Sequence, residues 1–230
     1  RLRAVGIVAH VLGPQRSLWV MGLLAELRLR CLRRRGKLVQ GGSTQELHAA
    51  LQLLLSVHGY QLFFCPCFNG DPHPGNILAM PDGRVGLIDL GQCVTFAPKV
   101  KAGFAHLIVA LTRPQSHESD TLVAQILWRM GVRSQHSDSI FLAFICRLML
   151  TGLRPEWFHD SYMWKVLARD RVIEQPIEVA FISRVANLLR GFGLLLMENV
   201  DVAQAWYPWA KRWLEENRNA EGMVDFSSSS

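Results

Sequence analysis

The chain has 230 residues, of which 50% are hydrophobic and 19% are charged, and its formal net charge is +6. This length supports about one or two domains with a sizeable core, and the apolar content excludes a disordered or collagen-like chain. The charge is concentrated at the start: residues 1–44 carry nine basic side chains and one acidic side chain, whereas residues 45–230 carry 16 basic and 18 acidic ones. The basic balance therefore gives no reason to expect a nucleic-acid partner for the main body.

The leading segment joins an apolar stretch to a basic one. Residues 18–29 are mostly apolar, and three consecutive arginines follow at 33–35. Three interpretations are open: a surface helix with a solvated basic turn, which is favoured, an arginine-rich transit peptide, and contact with a membrane surface through residues 18–37. No stretch reaches the roughly 20 apolar residues that a membrane-spanning helix needs.

The five cysteines indicate free thiols. No two of them have the Cys-x-x-Cys spacing typical of zinc sites, and Cys65 and Cys67 are separated by a single residue. We therefore expect reduced thiols and a reducing compartment.

The first predicted helix begins at residue 43. Ser43 followed three residues later by Glu46 is a capping box, and leucines and alanines then recur at helical spacing. Gly59 is predicted to end this helix.

A β-hairpin is predicted next. The apolar runs 77–80 and 85–88 are separated by Pro81-Asp82-Gly83, which is a turn signal. Further helices are predicted at 100–111, 121–130, 139–150, 178–197 and 202–216, with breakers at Pro114, Gly131, Pro155, Pro176 and Pro208. The predicted fold class is therefore α+β and mostly helical, with one small β unit and a low-complexity tail.

Polar residues flank this hairpin on both sides. Asp71 and Asn76 precede it in Gly70-Asp71-Pro72-His73-Pro74-Gly75-Asn76, and Asp89 follows it in Asp89-Leu90-Gly91. Because an antiparallel hairpin returns the chain to its starting point, we expect Asn76 and Asp89 to lie close together. Asp71 is expected nearby, on a loop that two prolines stiffen.

These three side chains suit phosphoryl transfer. Carboxylate and amide oxygens are hard ligands for Mg²⁺, which also binds phosphate oxygens. A further carboxylate can orient or deprotonate a nucleophile. Protein kinases use an Asp, an Asn five residues later and the Asp of an Asp-x-Gly motif in this order. Each piece alone is ordinary turn chemistry, but the ordered set predicts a kinase-type site.

At this point the sequence resembles the UbiB (ABC-one) family of atypical protein kinase-like proteins. The resemblance lies in residues 69–76 and 86–92, and it extends to Leu188-Leu189-Arg190-Gly191 and to the segment from Ala203 to Ala210. It implies a protein-kinase-like fold in which most of the chain is the helical C-lobe and most of the N-lobe is missing.

That fold implies three regions. Residues 45–216 correspond to the C-lobe, whose small hairpin carries the metal site. Residues 1–44 are interpreted as a basic remnant of the N-lobe or hinge, and residues 217–230 as a disordered tail.

The resemblance also implies roles for single residues. Asp71 matches the catalytic-loop Asp, while Asn76 and Asp89 match the residues that hold Mg²⁺ against the phosphates of ATP. Gly91 belongs to the nucleotide-binding set and permits the backbone turn after the metal ligand. His73 is expected to order the loop.

The function implied for the full protein is that of an ATP- and Mg²⁺-dependent phosphotransferase or ATPase. The family further implies a link to isoprenoid quinone metabolism in mitochondria or plastids, with nucleotide as one partner and a lipid or quinone-pathway protein as substrate.

Departures from the family favour an alternative, a catalytically inactive pseudokinase or C-lobe fragment that acts as a binding or regulatory module. Asn69 stands where the family has His, which weakens the expected support of the loop. No phosphate-cradling loop or Val-Ala-x-Lys strand precedes residues 18–21, which resemble the strand before the C-lobe. We therefore expect the phosphate-gripping Lys upstream of Arg1, and little activity from these 230 residues alone.

Overall fold

A computed structural model describes residues 44–80 and 84–217, and over these residues the fold is mostly helical. The seven α-helices are α1 (Thr44–Phe64), α2 (Pro98–Leu111), α3 (His117–Arg129), α4 (Ser139–Leu150), α5 (Tyr162–Leu167), α6 (Ile177–Leu195) and α7 (Val202–Glu216). Six short strands, paired two by two, are β1 (Phe68–Asn69), β2 (Ile77–Ala79), β3 (Val85–Leu87), β4 (Cys93–Val94), β5 (Arg133–Ser134) and β6 (Val172–Glu174).

Several predictions of the sequence concern residues outside this described part. They are the interpretations of the basic leading segment, including residues 18–21 and 18–37, the cap at Ser43, the turn at 81–83 and the tail beyond residue 217. Among the helices that the structure describes, none is long and apolar enough to cross a membrane.

The core forms where the helices pack in layers. Helix α7 lies against both α1 and α2, and α3 lies against α4. Trp206 of α7 is fully buried in this core and donates a hydrogen bond from Nε1 to the carbonyl oxygen of Leu55 on α1, at 2.9 Å. A buried indole needs such a partner for its N–H, so this contact fixes α7 against α1.

The end predicted for the first helix is wrong. Helix α1 continues through Gly59 to Phe64. A Cβ atom at Gly59 would lie 2.6 Å from Cδ1 of Trp209 and 2.8 Å from Cδ1 of Trp206. The glycine therefore allows α7 to approach α1 closely, and it does not serve as a helix stop.

The remaining helix predictions are confirmed in position, with shifted ends in three cases. Helices α4 and α7 have the predicted bounds, whereas α3 begins at His117 because Ser116 caps it through a reciprocal hydrogen-bond pair with Ser119. The prediction that Pro208 breaks a helix is wrong, because this proline lies inside α7. The patterns missed α5 and the pairs β1–β4 and β5–β6, whose strands of two or three residues are too short for a periodic signal.

The predicted hairpin is confirmed. Strands β2 and β3 pair antiparallel, with Ile77 opposite Leu87 and Ala79 opposite Val85. A second antiparallel pair, β1 and β4, places Asn69 opposite Cys93. The two pairs bring together the chain segments that precede the hairpin and those that follow it.

An arginine lies at the centre of the α3–α4 contact. The side chain of Arg147 is fully buried, and its Nε donates to Asp120 Oδ1 at 2.8 Å. The same guanidinium donates to the Ser119 hydroxyl at 3.0 Å and to the Leu111 carbonyl oxygen at 3.3 Å. A buried charge persists only when it is paired and hydrogen-bonded in this way.

Replacing this arginine should destabilise the fold strongly. For Arg147→Met we expect the free energy of unfolding in urea to fall by about 3–5 kcal/mol, because Asp120 is left as a buried charge without its partner. Arg169→Ala is the control, since its ion pair with Asp138 leaves the arginine side chain 48% exposed. That change should cost less than about 1 kcal/mol. Equal losses for the two variants would contradict this account.

A second carboxylate fixes the start of α4. Asp170 accepts hydrogen bonds from the backbone N–H groups of His136 and Asp138, both at 3.0 Å, and of Arg171 at 2.7 Å. Burial alone would raise the pKa of Asp170, but these hydrogen bonds outweigh it and lower that pKa to about 2.

Stability should therefore depend on the protonation of Asp170. A folded-state pKa below the ordinary value of 3.8 means that the stabilisation is complete above that value and is lost as the pH falls toward about 2. We expect Asp170→Asn to lower the free energy of unfolding at pH 7. The gap between wild type and variant should narrow as the pH is lowered from 4 to 2. A gap that stays constant over this range, measured by urea unfolding, would contradict the assignment.

Candidate functional site

The hairpin brings its two flanking polar segments together. Asn76 ends the 3-10 turn Pro74–Asn76 directly before β2, and Asp89 follows β3 by two residues. The N–H of Ile88 donates to the carbonyl oxygen of Asn76 at 3.1 Å, which continues the pairing one step beyond the strands. Asp89 therefore directly follows the residue that is bonded to Asn76.

The loop from Asp71 to Asn76 is ordered from within. His73 Nδ1 accepts from the N–H of Gly75 at 3.1 Å, and its carbonyl oxygen accepts from the N–H of Asn76 at 2.8 Å. The prediction that His73 orders the loop is confirmed. The Asn76 side chain donates from Nδ2 to the Asp71 carbonyl oxygen at 3.4 Å, so the turn brings Asp71 and Asn76 into contact.

Asn69 supports the loop directly. It is 2% exposed, and its Oδ1 accepts from the backbone N–H of Asp71 at 3.0 Å. Its own N–H donates to Gln61 Oε1 on α1 at 3.3 Å. Because the family has His at this position, the sequence predicted weaker support of the loop. The asparagine nevertheless bonds to the backbone of Asp71, two residues later.

The Asp71 carboxylate has two side-chain partners. Its Oδ1 accepts from Arg184 Nη2 and its Oδ2 accepts from Gln92 Nε2, both at 3.2 Å. Arg184 Nη1 also donates to Gln92 Oε1 at 2.6 Å, which closes a ring of three side chains. Sequence reasoning missed Arg184: it lies on α6, 113 residues after Asp71, and no local pattern connects the two.

Asp89 is exposed and turns back on its own segment. Its Oδ1 accepts from the N–H of Gly91 at 2.8 Å, the Asx-turn geometry that short polar side chains favour. A Cβ at Gly91 would lie 3.1 Å from that oxygen, so a side chain there would crowd the carboxylate. Gly91 thus allows the turn that orients one Asp89 oxygen.

Two side-chain oxygens at this end of the hairpin have no partner among the described residues. Within the described residues, Asn76 Oδ1 and Asp89 Oδ2 take part in no hydrogen bond. The same residues contain no group of three or more His, Cys, Asp or Glu side chains that could hold a metal ion. An amide and a carboxylate oxygen fit Mg²⁺, which keeps several waters and binds phosphate oxygens.

The thiols near the site are free, as predicted for the four cysteines that the structure describes. Partial burial, together with the neighbouring Cys67 thiol, raises the pKa of the Cys93 thiol. Complete burial raises the pKa of Cys146 on α4 to about 12. Both shifts favour the protonated, unreactive form.

Comparison with known proteins agrees with the resemblance. The model of the ABC1 atypical kinase-like domain matches residues 43–121, a range that contains Asp71, Asn76, Asp89 and Gly91. Over this part of the chain, the family model implies a kinase-like fold and the use of a nucleotide.

Three relatives are similar over parts of their length. The chloroplastic protein Activity of BC1 complex kinase 1 of Arabidopsis thaliana is 31% identical over 40% of this chain and 13% of its own length. An uncharacterized chloroplastic aarF domain-containing protein kinase of the same plant is 24% identical over 63% of this chain and 21% of its own. An uncharacterized Synechocystis protein is 36% identical over 34% of this chain and 19% of its own.

The chain thus spans about a fifth or less of the length of these relatives. The matched region nevertheless includes the loop, the hairpin and the turn that follows it. Residues 43–121 are therefore similar to the ABC1 atypical kinase-like domain, the family that residues 69–92 indicate.

Proposed function

We propose that this domain binds Mg²⁺ and ATP as the C-lobe of a kinase-like enzyme that transfers or hydrolyses the terminal phosphoryl group. The observation that carries the proposal is the hydrogen-bonded junction at the open end of the hairpin. There the residue before Asp89, Ile88, bonds to Asn76, and Asn76 bonds to Asp71. Asp71, Asn76 and Asp89 follow one another along the chain in the order found in phosphoryl-transfer enzymes of the kinase type. The nucleotide use implied by the ABC1 domain supports it.

Each site residue has a role in this proposal. Asn76 Oδ1 and Asp89 Oδ2 are the oxygens that would hold Mg²⁺, and the Gly91 N–H fixes the Asp89 carboxylate by occupying Oδ1. When bound, the cation neutralises charge that develops on the phosphate oxygens. Asp71 accepts a hydrogen bond from the attacking hydroxyl or water and orients it toward the phosphorus.

The cellular context is part of the proposal. A lipid or a quinone-pathway protein is the proposed phosphate acceptor, and isoprenoid quinone metabolism in a plastid or mitochondrion is the proposed setting. Two relatives are described as chloroplastic, which supports an organelle. Contact of residues 18–37 with a membrane surface would suit a lipid acceptor, because apolar and basic residues together bind anionic bilayers.

A second candidate function is nucleotide binding without turnover, as in a pseudokinase or regulatory module. The observation on its side is that both oxygens of the Asp71 carboxylate are already occupied, by Arg184 and by Gln92. A nucleophile must share or replace one of these contacts before Asp71 can orient it. The two candidates differ in turnover and agree on binding.

The first test removes one charge from the cation site. We expect Asp89→Asn to weaken Mg²⁺-dependent binding of ATP by about 10- to 100-fold, because a charged ligand contributes about 1.5–3 kcal/mol. Binding is measured by titration calorimetry with and without Mg²⁺, on the 230-residue chain and on the longest natural protein that contains it. Asp160→Asn is the matched control, since it makes the same change at an exposed carboxylate of the α5 region.

The same titrations decide the assignment. Unchanged Mg²⁺-dependent binding in Asp89→Asn, or an equal loss in Asp160→Asn, would contradict the proposed site. Formation of ADP from ATP by the wild-type protein, which accompanies both transfer and hydrolysis, separates the two candidates. Turnover supports the enzyme, and tight Mg²⁺-dependent binding without turnover supports the binding module.

A further inference from the structure

Helix α6 contributes a side chain, Arg184, to the loop that carries Asp71. This arginine lies outside the motifs at 69–76 and 86–92. We propose that Arg184, together with Gln92, is a positioning residue that holds the Asp71 carboxylate in one orientation for phosphoryl transfer. This inference rests on the proposed function, since it acts through the role given to Asp71. Helix α6 is then a third chain segment at the site, beside the two that the hairpin brings together.

The hydrogen bonds among Asp71, Gln92 and Arg184 fix the carboxylate from two sides. One planar guanidinium uses Nη2 for Asp71 and Nη1 for Gln92, while Gln92 Nε2 reaches the other oxygen of Asp71. Rotation of the carboxylate away from this arrangement breaks at least one of its two hydrogen bonds. A planar fork loses little freedom for each contact it makes, so an arginine suits this task better than a lysine.

Arg184 is anchored by its own helix. Phe181 lies three residues earlier on α6 and therefore on the same face. Its ring is so close to the loop that a Cβ at Gly70 would lie 1.7 Å from Phe181 Cε1. The loop residue next to Asp71 is thus in direct contact with the helix that carries Arg184.

Gln92 is anchored from the other side. The N–H of Gly70 donates to the Gln92 carbonyl oxygen at 3.0 Å, and the same Cβ at Gly70 would lie 2.8 Å from that oxygen. Gly70, the residue before Asp71, therefore contacts both the Gln92 backbone and the helix that carries Arg184. Their position relative to Asp71 follows from packing and backbone pairing as well as from the ion pair.

The exposure of this ion pair argues against a role in stability. The Arg184 and Asp71 side chains are 47% and 20% exposed, and pairs of this kind add little to folding. The chain offers a close match away from the site in Arg169 and Asp138, at 48% and 17%. The two arginines share charge, exposure and an aspartate partner, whereas Arg184 also bonds Gln92 and its aspartate belongs to the proposed site.

Because Arg184 and Gln92 fix the orientation of the Asp71 carboxylate, a nucleophile that shares one of its oxygens meets a charged group that is already positioned. Loss of Arg184 should therefore affect the chemical step more than nucleotide binding. For Arg184→Ala we expect kcat for ATP turnover to fall by about 10- to 100-fold, as misplacement of a catalytic group does, with KM for ATP changed less than about twofold. Arg184→Lys keeps the charge but loses the fork, so it should restore part of the lost rate.

The experiment uses the longest natural protein that contains this chain, with ATP and Mg²⁺ as the probe. Steady-state kcat and KM are measured for wild type, Arg184→Ala, Arg184→Lys and Arg169→Ala, and thermal unfolding is recorded for each. Arg169→Ala should keep the wild-type kcat. A kcat of Arg184→Ala equal to that of Arg169→Ala would overturn the proposal. So would a fall in kcat of Arg184→Ala that comes with a lower unfolding temperature than that of Arg169→Ala.

Asp89→Asn in the same series separates this inference from the function on which it rests. Turnover that falls in Asp89→Asn but is unchanged in Arg184→Ala overturns the positioning role alone. A wild-type protein that binds Mg²⁺ and ATP without turnover overturns the positioning role together with the catalytic role of Asp71. A lowered kcat with unchanged KM in Arg184→Ala, partly rescued by lysine, supports the proposal.

Discussion

The arrangement of this domain depends on the antiparallel pairing that begins with β2 and β3 and continues to the hydrogen bond from Ile88 to Asn76. A shift of one residue in this register would pair Asn76 with Leu87 or Asp89 in place of Ile88 and would displace the polar groups beyond the strand ends. The pairing thus fixes which polar groups meet at the open end of the hairpin. The second pair, β1 with β4, holds the preceding loop through Asn69 and Cys93.

Helices give this small β unit the rigidity that its few residues lack. Isolated two-stranded hairpins are marginal in water, so the packing of the surrounding helices has to supply the stability. At two glycines a helix packs closely against a neighbouring segment. Gly59 lets α7 lie against α1, and Gly70 lets the Phe181 ring of α6 lie against the loop. The buried Arg147 network joins α3 to α4 through residues that take no part in the candidate site.

The sequence predicted the elements whose signal is local and failed where packing decides. The hairpin and the bounds of α4 and α7 follow from periodicity and turn residues, and the order Asp71, Asn76, Asp89 follows from motif spacing. Gly59 and Pro208 were misread because a residue that breaks an isolated helix is retained where tertiary contacts compensate. Arg184 could not be predicted, since only the folded chain brings α6 to a loop 113 residues earlier.

We propose that Asn76 and Asp89 hold the cation that accompanies the nucleotide. Nuclear magnetic resonance with ATP and Mn²⁺ in place of Mg²⁺ tests it directly, because a paramagnetic ion broadens the signals of nearby nuclei. We predict that the Asn76 side-chain amide and the Gly91 backbone amide broaden first. The side-chain amide of Asn199, which binds the backbone of Leu153, should stay sharp. Equal broadening of Asn76 and Asn199, or a sharp Asn76 signal at saturating Mn²⁺ and ATP, would contradict the account.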